Sequence, residues 1–219
     1  MPLVNPAFRA SGSINPSRFV APASTSDFSV MSAGVALVCN TNTSTSVTSV
    51  PANTIPNGAM VSGSGVPAGA FVVSGGGTST LTLSVATTTS LTGTTLTFIG
   101  KPIGIAQDGS KFPQTADGWG SGASTVAAED GDQLTIFGLG EVCLLEVDNS
   151  GAPAAPAIAA GDWLVSDVNG KGVKFNTNGT GGLADNLPVH VGAIALEAPG
   201  SSTNSNLIRV QVVNFTFTQ

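Results

Sequence analysis

The stretch that most constrains the fold is residues 161–175, in which two short strand-like runs flank the dipeptide Asn169-Gly170. Asn-Gly favours a two-residue type I′ hairpin turn, because both residues tolerate the positive φ that this turn requires. A hairpin alone is marginally stable in water, whereas several strands that share an apolar face can fold independently. We therefore predict that residues 161–175 form the hairpin on which a C-terminal barrel or sandwich closes.

The composition points to the same class of fold. The chain has 219 residues with 28 Gly and 13 Pro, and 9% of its residues are charged. Ser, Thr, Gly, Ala and Val dominate, which suits strands and tight turns, and almost no window shows the 3.6-residue period of an amphipathic helix. The predicted fold class is all-β, with one large domain or two small ones.

Residues 100–219 carry the clearest alternation of apolar and polar residues. Apolar side chains recur at every second position in residues 133–147 and 206–212, so each run places them on one face of a strand. After Val212, the residues Val213, Phe215 and Phe217 have the opposite parity. This change predicts a bulge, or a strand end that leaves its own core for another surface. Phe215 and Phe217 would then need a partner.

Residues 37–99 contain no charged side chain and are rich in Thr, Ser and Gly. Residues 80–85 alternate strictly, and 95–98 repeat the pattern, with Gly-rich turns between the strand candidates. We interpret this segment as a small antiparallel β module inserted into the rest of the chain.

Residues 1–36 have the composition of an extended N-terminal arm that includes the first strand of the following domain. Asn5-Pro6, Asn15-Pro16 and Ala21-Pro22 favour extended backbone, and the segment cannot bury enough apolar surface to fold alone. Its anchors Phe8, Phe19, Val20 and Phe28 could attach the arm to a neighbouring subunit; a disordered tail is the alternative. On this interpretation, deletion of residues 1–20 leaves the fold intact and weakens attachment.

Charge and hydropathy exclude several classes of partner. Residues 101–219 carry five Lys or Arg and twelve Asp or Glu, without the basic cluster that nucleic-acid binding requires. No apolar run approaches the ~20 residues of a membrane span, and the first residues lack the features of a secretion signal. We expect a protein made in the cytoplasm that binds neither nucleic acid nor membrane.

The residues with catalytic or metal-binding chemistry are few. His190 is the only histidine and lies in a predicted strand, where an outward-facing polar residue needs no catalytic explanation. Glu129-Asp130-Gly131-Asp132 could supply oxygen ligands to Ca²⁺, but it lacks the EF-hand pattern and fits a turn before a strand. Cys143 is expected to be a buried free thiol, although a disulfide with Cys39 is possible. We predict no enzyme, metal site or cofactor; a hydrolase that uses two of the acidic residues stays an alternative.

An ordered set of short motifs resembles the capsid decoration (cement) proteins of tailed bacteriophages over residues 13–36 and 100–213. These motifs are Ser17-Arg18-Phe19-Val20, Pro102-Ile103-Gly104-Ile105-Ala106-Gln107-Asp108-Gly109, Gly138-Leu139-Gly140-Glu141-Val142, Ala160-Gly161-Asp162-Trp163-Leu164, Asn169-Gly170-Lys171-Gly172, Val191-Gly192-Ala193-Ile194-Ala195-Leu196-Glu197 and Ile208-Arg209-Val210-Gln211-Val212. The resemblance implies a β-barrel-like decoration domain over residues 100–219 that binds the outside of the expanded head. It also implies the major capsid protein and the chain itself, as a homotrimer, as partners, and the virion as the location.

Residues of the arm, of a Gly-rich loop and of the last strand are the expected contacts to the capsid or to a neighbouring subunit. They are Phe8, Arg9, Arg18, Phe19, Trp119, Phe215 and Phe217. Trp119 lies between two glycines and is either such a contact or part of a lid over the barrel end. Together with the Thr-rich module, it also motivates the alternative of a phage tail or fibre component that binds carbohydrate.

Overall fold

The computed structural model describes residues 8–24, 28–51, 54–109, 126–148, 157–175, 188–199 and 207–218. The regular elements of this part are all β-strands, which confirms the predicted all-β class, and it contains no helix that could cross a membrane. The strands are β1 (Phe8–Ala10), β2 (Arg18–Pro22), β3 (Ser29–Ser32), β4 (Gly34–Asn42), β5 (Ser46–Thr48), β6 (Met60–Gly63), β7 (Val72–Ser74), β8 (Leu81–Leu83), β9 (Ser90–Ile99), β10 (Gly104–Gly109), β11 (Gln133–Phe137), β12 (Val142–Glu146), β13 (Trp163–Ser166), β14 (Gly172–Lys174), β15 (Pro188–Ala195) and β16 (Leu207–Thr218).

These strands form three sheets. A closed barrel has the order β1-β11-β10-β2-β3, a five-stranded sheet has the order β12-β16-β15-β13-β14, and a six-stranded sheet has the order β6-β9-β4-β5-β8-β7. The barrel closes through a parallel pairing of β1 with β3, whereas its other pairs are antiparallel. The barrel and the five-stranded sheet, together called the body below, thus combine strands from both ends of the chain.

The first 36 residues do not form an arm over the part that is described. β1, β2 and β3 are barrel strands, and Phe19 is 0% exposed in a core that the barrel shares with the five-stranded sheet. These residues alone have too little apolar surface to form a core. In the barrel, β10 and β11 supply the apolar partners that they lack. The expectation that residues 1–20 can be deleted without loss of fold is therefore corrected, since the deletion removes β1 and most of β2.

The six-stranded sheet, called the module below, is built from residues 34–99 alone. It begins at Gly34, three residues before the boundary expected from the composition. Its long strands β4 and β9 pair from Gly34↔Ile99 to Asn42↔Ser90, and a bridge between Met60 and Phe71 joins β6 to the residue before β7. The module surrounds a core that includes Phe98 and Leu96, and Met31 of the barrel strand β3 also packs in it.

The predicted hairpin is confirmed, but its turn type is different. β13 and β14 pair antiparallel with Ser166 opposite Gly172, and of the residues between them only Gly170 has a positive φ, +76°. The Asp167 carboxylate accepts hydrogen bonds from the backbone nitrogens of Asn169 (2.8 Å) and Lys171 (2.7 Å). A turn that an aspartate side chain organises needs one left-handed residue at its end, not the two of a type I′ turn.

The tip of this hairpin lies where the three sheets meet. The Phe19 nitrogen of the barrel donates to the Gly170 carbonyl at 2.8 Å. Gly34, the first residue of the module, approaches so closely that a Cβ there would lie 1.9 Å from the Asp167 carbonyl oxygen. The Phe19 ring in turn lies against Gly192 of β15, where a Cβ would be 2.6 Å from it. The hairpin therefore positions the sheets relative to one another.

The change of parity in the last strand corresponds to a bulge, as predicted. β15 and β16 pair with Ala193 opposite Val212 and with Val191 opposite Phe215, so two residues of β16 face the single Gly192. The bulge turns the apolar residues that follow it to the other face of the five-stranded sheet. That sheet is consequently apolar on both faces.

Candidate functional site

Two of the expected contact residues lie together at one end of the barrel. β1 runs beside β3, so that the Arg9 nitrogen donates to the Phe28 carbonyl at 2.9 Å. The rings of Phe8 and Phe28 meet edge to face, with centroids 6.4 Å apart and an interplanar angle of 65°. The Arg9 guanidinium reaches the Gly131 carbonyl at 3.5 Å. We call Phe8, Arg9 and Phe28 the aromatic corner.

Phe28 has two features that a purely structural residue rarely combines. It is 61% exposed, and its φ is +59°, in the left-handed region that bulky side chains seldom adopt. Such a conformation costs on the order of 1–3 kcal/mol and is concentrated at binding and catalytic sites. A large ring that is held toward solvent at this cost is suited to contact another protein.

Arg18 and Phe19 are not available for such a contact. Phe19 is 0% exposed and Arg18 is 7% exposed. The guanidinium of Arg18 pairs with the carboxylate of Glu146 on β12, and Lys171 of the hairpin donates to the other oxygen of that carboxylate at 2.8 Å. The prediction that Arg18 and Phe19 contact a partner is corrected, because both lie within the body.

The charge triad Arg18–Glu146–Lys171 joins the barrel, β12 and the hairpin. Burial, the largest influence on Glu146, opposes its ionisation, but hydrogen bonds from Arg18 and Lys171 outweigh burial and lower the pKa of this carboxyl. The Nε atom of Arg18 is buried without a hydrogen-bond partner. The triad therefore holds a cation in the interior, where it depends on the charge of Glu146.

Phe215 belongs to a second aromatic group on the five-stranded sheet. Its ring meets Trp163 edge to face at 5.4 Å, and Trp163 stacks on Phe175 at 6.3 Å. Phe215 is half-buried and Trp163 is 37% exposed, so part of this group faces solvent. The backbone of Phe217 pairs with Val189, and Trp119 lies outside the described residues.

The edge of β12 is covered by side-chain and backbone groups of the barrel. The Gln107 amide donates to the Leu144 carbonyl at 2.7 Å and accepts from the Leu144 nitrogen at 3.4 Å. The Glu146 nitrogen donates to the Ser17 carbonyl at 2.9 Å. Because these groups occupy the strand edge, a partner meets the side chains of this region and not a free backbone ladder.

A cleft of about 420 Å³ separates the module from the five-stranded sheet. β6 and β9 supply Met60, Val61 and Ile99 on one side, and Val165 and Val173 form part of the other side. The walls are mostly apolar, and the volume is in the range of small-molecule sites.

His190 lies at the edge of this cleft and is half-buried. Its Nδ1 lies 3.0 Å from Thr216 Oγ1 on the adjacent strand β16. Burial, and then the charge of Lys101, lower the pKa of His190, and a hydrogen bond to the Gly58 backbone partly opposes this effect. Thr216 supplies a hydroxyl, but no carboxylate orients the imidazole among its described partners, so the geometry favours a structural role over general base catalysis.

The remaining candidate groups have structural explanations. Asp132 accepts from the Glu129 nitrogen at 3.0 Å and closes the turn before β11, which confirms the turn expected there. Cys39 and Cys143 are both free and buried, as expected for Cys143, and burial and then Glu141 raise the pKa of the Cys143 thiol to about 12. Over the described residues, no three His, Cys, Asp or Glu side chains lie close enough together to hold a metal ion.

Phe28 was expected to be one of the anchors of the arm, but it was not among the residues named as contacts to the capsid or to a neighbouring subunit. Its exposure depends on the left-handed turn at the start of β3, and no local pattern signals that conformation for a phenylalanine. Arg18, in contrast, precedes the consecutive apolar residues Phe19, Val20 and Ala21, a run that could have indicated a buried strand. Comparison with known proteins gave no match to a family model, to a curated protein or to a solved structure.

Proposed function

We propose that the protein is a capsid decoration protein of a tailed bacteriophage. In this role it binds the outer surface of the major capsid protein lattice, as a homotrimer, and stabilises the head. It works by shape and charge complementarity and catalyses no reaction. The single observation that carries the proposal is the aromatic corner, with its strained and exposed Phe28.

The place of the corner in the fold supports the proposal. The barrel that presents Phe8, Arg9 and Phe28 also contains two of the motifs that resemble decoration proteins, those at Ser17-Arg18-Phe19-Val20 and around β10. The other motifs lie in the five-stranded sheet, in the hairpin or in the turn before β12, and none lies in the module. The resembling segments therefore form one continuous body, from which the corner projects.

The energetics of a repeated lattice suit a contact of this size. Burial of one phenylalanine contributes about 1.5–3 kcal/mol, which is a weak contact for a single subunit. In a trimer, three linked contacts act together, so that the overall affinity exceeds that of each one. Binding to the assembled shell and not to its loosened form then stabilises the shell by mass action.

The test is binding to purified expanded heads that lack the protein. Cryo-electron microscopy should show density outside the capsid lattice when the full chain is added. Phe28→Asn removes the ring but keeps a residue type that tolerates positive φ, so the fold should be retained. We expect this variant to bind at least about tenfold more weakly, as the loss of one buried ring implies.

Val85→Asn is the matched control. Val85 is an apolar residue that is 45% exposed in a bend of the module, and its replacement should leave head binding unchanged. Equal binding by Phe28→Asn and wild type would show that the aromatic corner is not part of the interface with the head. Absence of any binding to heads, or localisation to the tail, would overturn the proposed function itself.

The second candidate function is a tail or fibre component that binds carbohydrate, which the Thr-rich module motivates; Trp119, its other motivation, lies outside the described residues. A glycan array probed with the full chain distinguishes the two functions. Binding to a host polysaccharide together with no affinity for heads would favour the alternative.

A further inference from the structure

The turn between β13 and β14 contains the pair Asn169-Gly170, whose chemistry the proposed function does not use. In an Asn-Gly pair the glycine nitrogen can attack the side-chain amide of the asparagine, because glycine has no side chain that hinders the approach. The sequence contains two further pairs, Asn57-Gly58 in the module and Asn178-Gly179. The last of these lies outside the described residues, so the structure allows a comparison of the other two.

The peptide group between Asn169 and Gly170 is weakly held. The Gly170 nitrogen donates to the Asp167 carbonyl at 3.2 Å. Among the described groups, neither the carbonyl of Asn169 nor its side-chain amide forms a hydrogen bond, and the residue is exposed, so water reaches the amide. Rotation of this peptide group toward the side chain therefore breaks one long hydrogen bond, and the glycine accepts the change of φ.

The same peptide group in the module is held more firmly, although its sequence and exposure are alike. Asn57 is also exposed, and the φ of Gly58, +86°, is close to the +76° of Gly170. The Gly58 nitrogen, however, donates to the Val72 carbonyl of β7 at 2.7 Å. The side-chain oxygen of Asn57 accepts from the Gly76 nitrogen at 2.9 Å. Both reacting groups are thus engaged in the module, whereas in the hairpin only the nitrogen is engaged, through a longer bond.

We propose that Asn169 is a site of spontaneous deamidation, at which the folded chain is modified while Asn57 is protected. The Gly170 nitrogen forms a bond to Asn169 Cγ, the bond from Cγ to the amide nitrogen breaks, and ammonia leaves with the proton of the Gly170 nitrogen. Water then opens the cyclic imide at one of its two carbonyl carbons. One opening gives aspartate, and the other gives isoaspartate, in which the main chain runs through the side-chain carbons and is one atom longer.

Isoaspartate at this position disturbs the contact between the hairpin and the barrel. The Gly170 carbonyl accepts from the Phe19 nitrogen at 2.8 Å, and a Cβ on Gly170 would lie 3.1 Å from the Phe19 carbonyl oxygen. An additional main-chain atom directly before Gly170 therefore displaces its carbonyl from β2, because the tip is already in close contact there. Aspartate keeps the length of the main chain and with it this hydrogen bond. The inference concerns the chain by itself and does not depend on the proposed function.

The test follows both pairs in the same full chain, so that each is the control of the other. The chain is incubated at mildly alkaline pH in water labelled with heavy oxygen, and peptide mapping by mass spectrometry then counts the label at each asparagine. We expect Asn169 to react on the order of tenfold faster than Asn57, which has one more hydrogen bond to break. In guanidinium chloride the two rates should become similar, because the fold no longer distinguishes the pairs.

Three results would overturn the proposed site. The first is that Asn57 reacts as fast as Asn169 in the folded chain. The second is that Asn169 stays intact in the folded chain while both pairs react in guanidinium chloride. The third is a difference between the two rates that persists in guanidinium chloride, since it would then come from the neighbouring sequence and not from the hydrogen bonds.

The effect on the barrel is measured on the separated products. Anion exchange isolates the modified chains, which have gained a negative charge, and NMR reports the hydrogen exchange of the Phe19 amide. We expect this amide to exchange faster in the isoaspartate product than in the unmodified chain. Asn169→Asp supplies the charge without the additional main-chain atom, and Asn169→Gln disfavours the five-membered imide, so both variants should keep the Phe19 amide protected. Unchanged exchange of Phe19 in the isoaspartate product, or equal loss of protection in Asn169→Asp, would overturn the effect of chain length.

Discussion

The module and the body are both built of β-strands, but they are held together differently. The module takes all its strands from residues 34–99, carries no charged residue and surrounds one apolar core. The body joins strands from residues 8–32 to strands from residues 104–218, and it contains the charge triad Arg18–Glu146–Lys171. A contiguous segment forms mainly local contacts, whereas the body must first bring the two ends of the chain together.

The difference indicates how the insertion is tolerated. Gly34 pairs with Ile99, and the Gly100 nitrogen donates to the Ala33 carbonyl at 2.8 Å, so the module leaves and re-enters the body at one point. An insertion with adjacent ends adds little strain to the host fold. The two parts touch where Gly34 meets the hairpin tip at Asp167. They also touch where the Ser24 nitrogen, after β2, donates to the Thr54 carbonyl of the module at 3.3 Å, and where Met31 of β3 packs in the core of the module.

The largest expected effect comes from Phe19→Ala. Removal of a fully buried ring from the core that joins the barrel and the five-stranded sheet should cost about 3–5 kcal/mol. Hydrogen exchange measured by mass spectrometry should show loss of protection in β2, β10 and β15, while β4 and β9 stay protected. Phe98→Ala, in the core of the module, should give the reverse pattern. Loss of protection in all three sheets from either replacement would show that module and body unfold as one unit.

The second-largest effect is expected where Gly34 of the module meets the hairpin tip of the body. Gly34→Ala places a Cβ 1.9 Å from the Asp167 carbonyl oxygen, and neither partner is a flexible side chain. We expect destabilisation of about 3 kcal/mol, the upper end of the usual range for overpacking. Urea unfolding measures it, with Gly138→Ala as the control, because the nearest atom to a Cβ there lies 3.9 Å away. Equal stability of the two variants would mean that the module does not press on the hairpin tip.

The sequence was sufficient to predict features that depend on neighbouring residues. The hairpin, the bulge after Val212 and the turn at residues 129–132 all follow from local alternation or turn chemistry, and the structure contains each of them. A barrel was expected in residues 100–219, but the part of it that β1, β2 and β3 form was not predicted, because these short strands are far in sequence from β10 and β11, which complete the barrel. The strained conformation of Phe28 was missed for a similar reason, since it depends on the pairing of β1 with β3.

The smallest expected effect is that of Glu146→Gln, and it compares the contribution of the buried charge triad to stability with that of an exposed ion pair. Glu146→Gln removes the charge that Arg18 and Lys171 share, and we expect a loss of about 1 kcal/mol at pH 7, the lower end of the range for a buried donor, because 29% of the Glu146 side chain is exposed. Glu197→Gln is the control, since its partner Arg209 is largely exposed, and it should leave the free energy of unfolding unchanged within error.

The pH dependence of the Glu146→Gln effect gives the sharper test. The pKa of Glu146 is lowered in the folded chain from its ordinary value of 4.5, so the unfolded chain takes up the proton first as the pH falls. The stability that Glu146 contributes is therefore complete above about pH 4.5 and is lost as the pH falls through the lowered value. The difference in unfolding free energy between wild type and Glu146→Gln should be constant at neutral pH and should shrink in acid. A difference in unfolding free energy that stays the same from pH 7 to pH 3 would show that the charge of Glu146 does not hold the barrel and the five-stranded sheet together. The contact between these two sheets would then depend on Phe19 and its apolar neighbours.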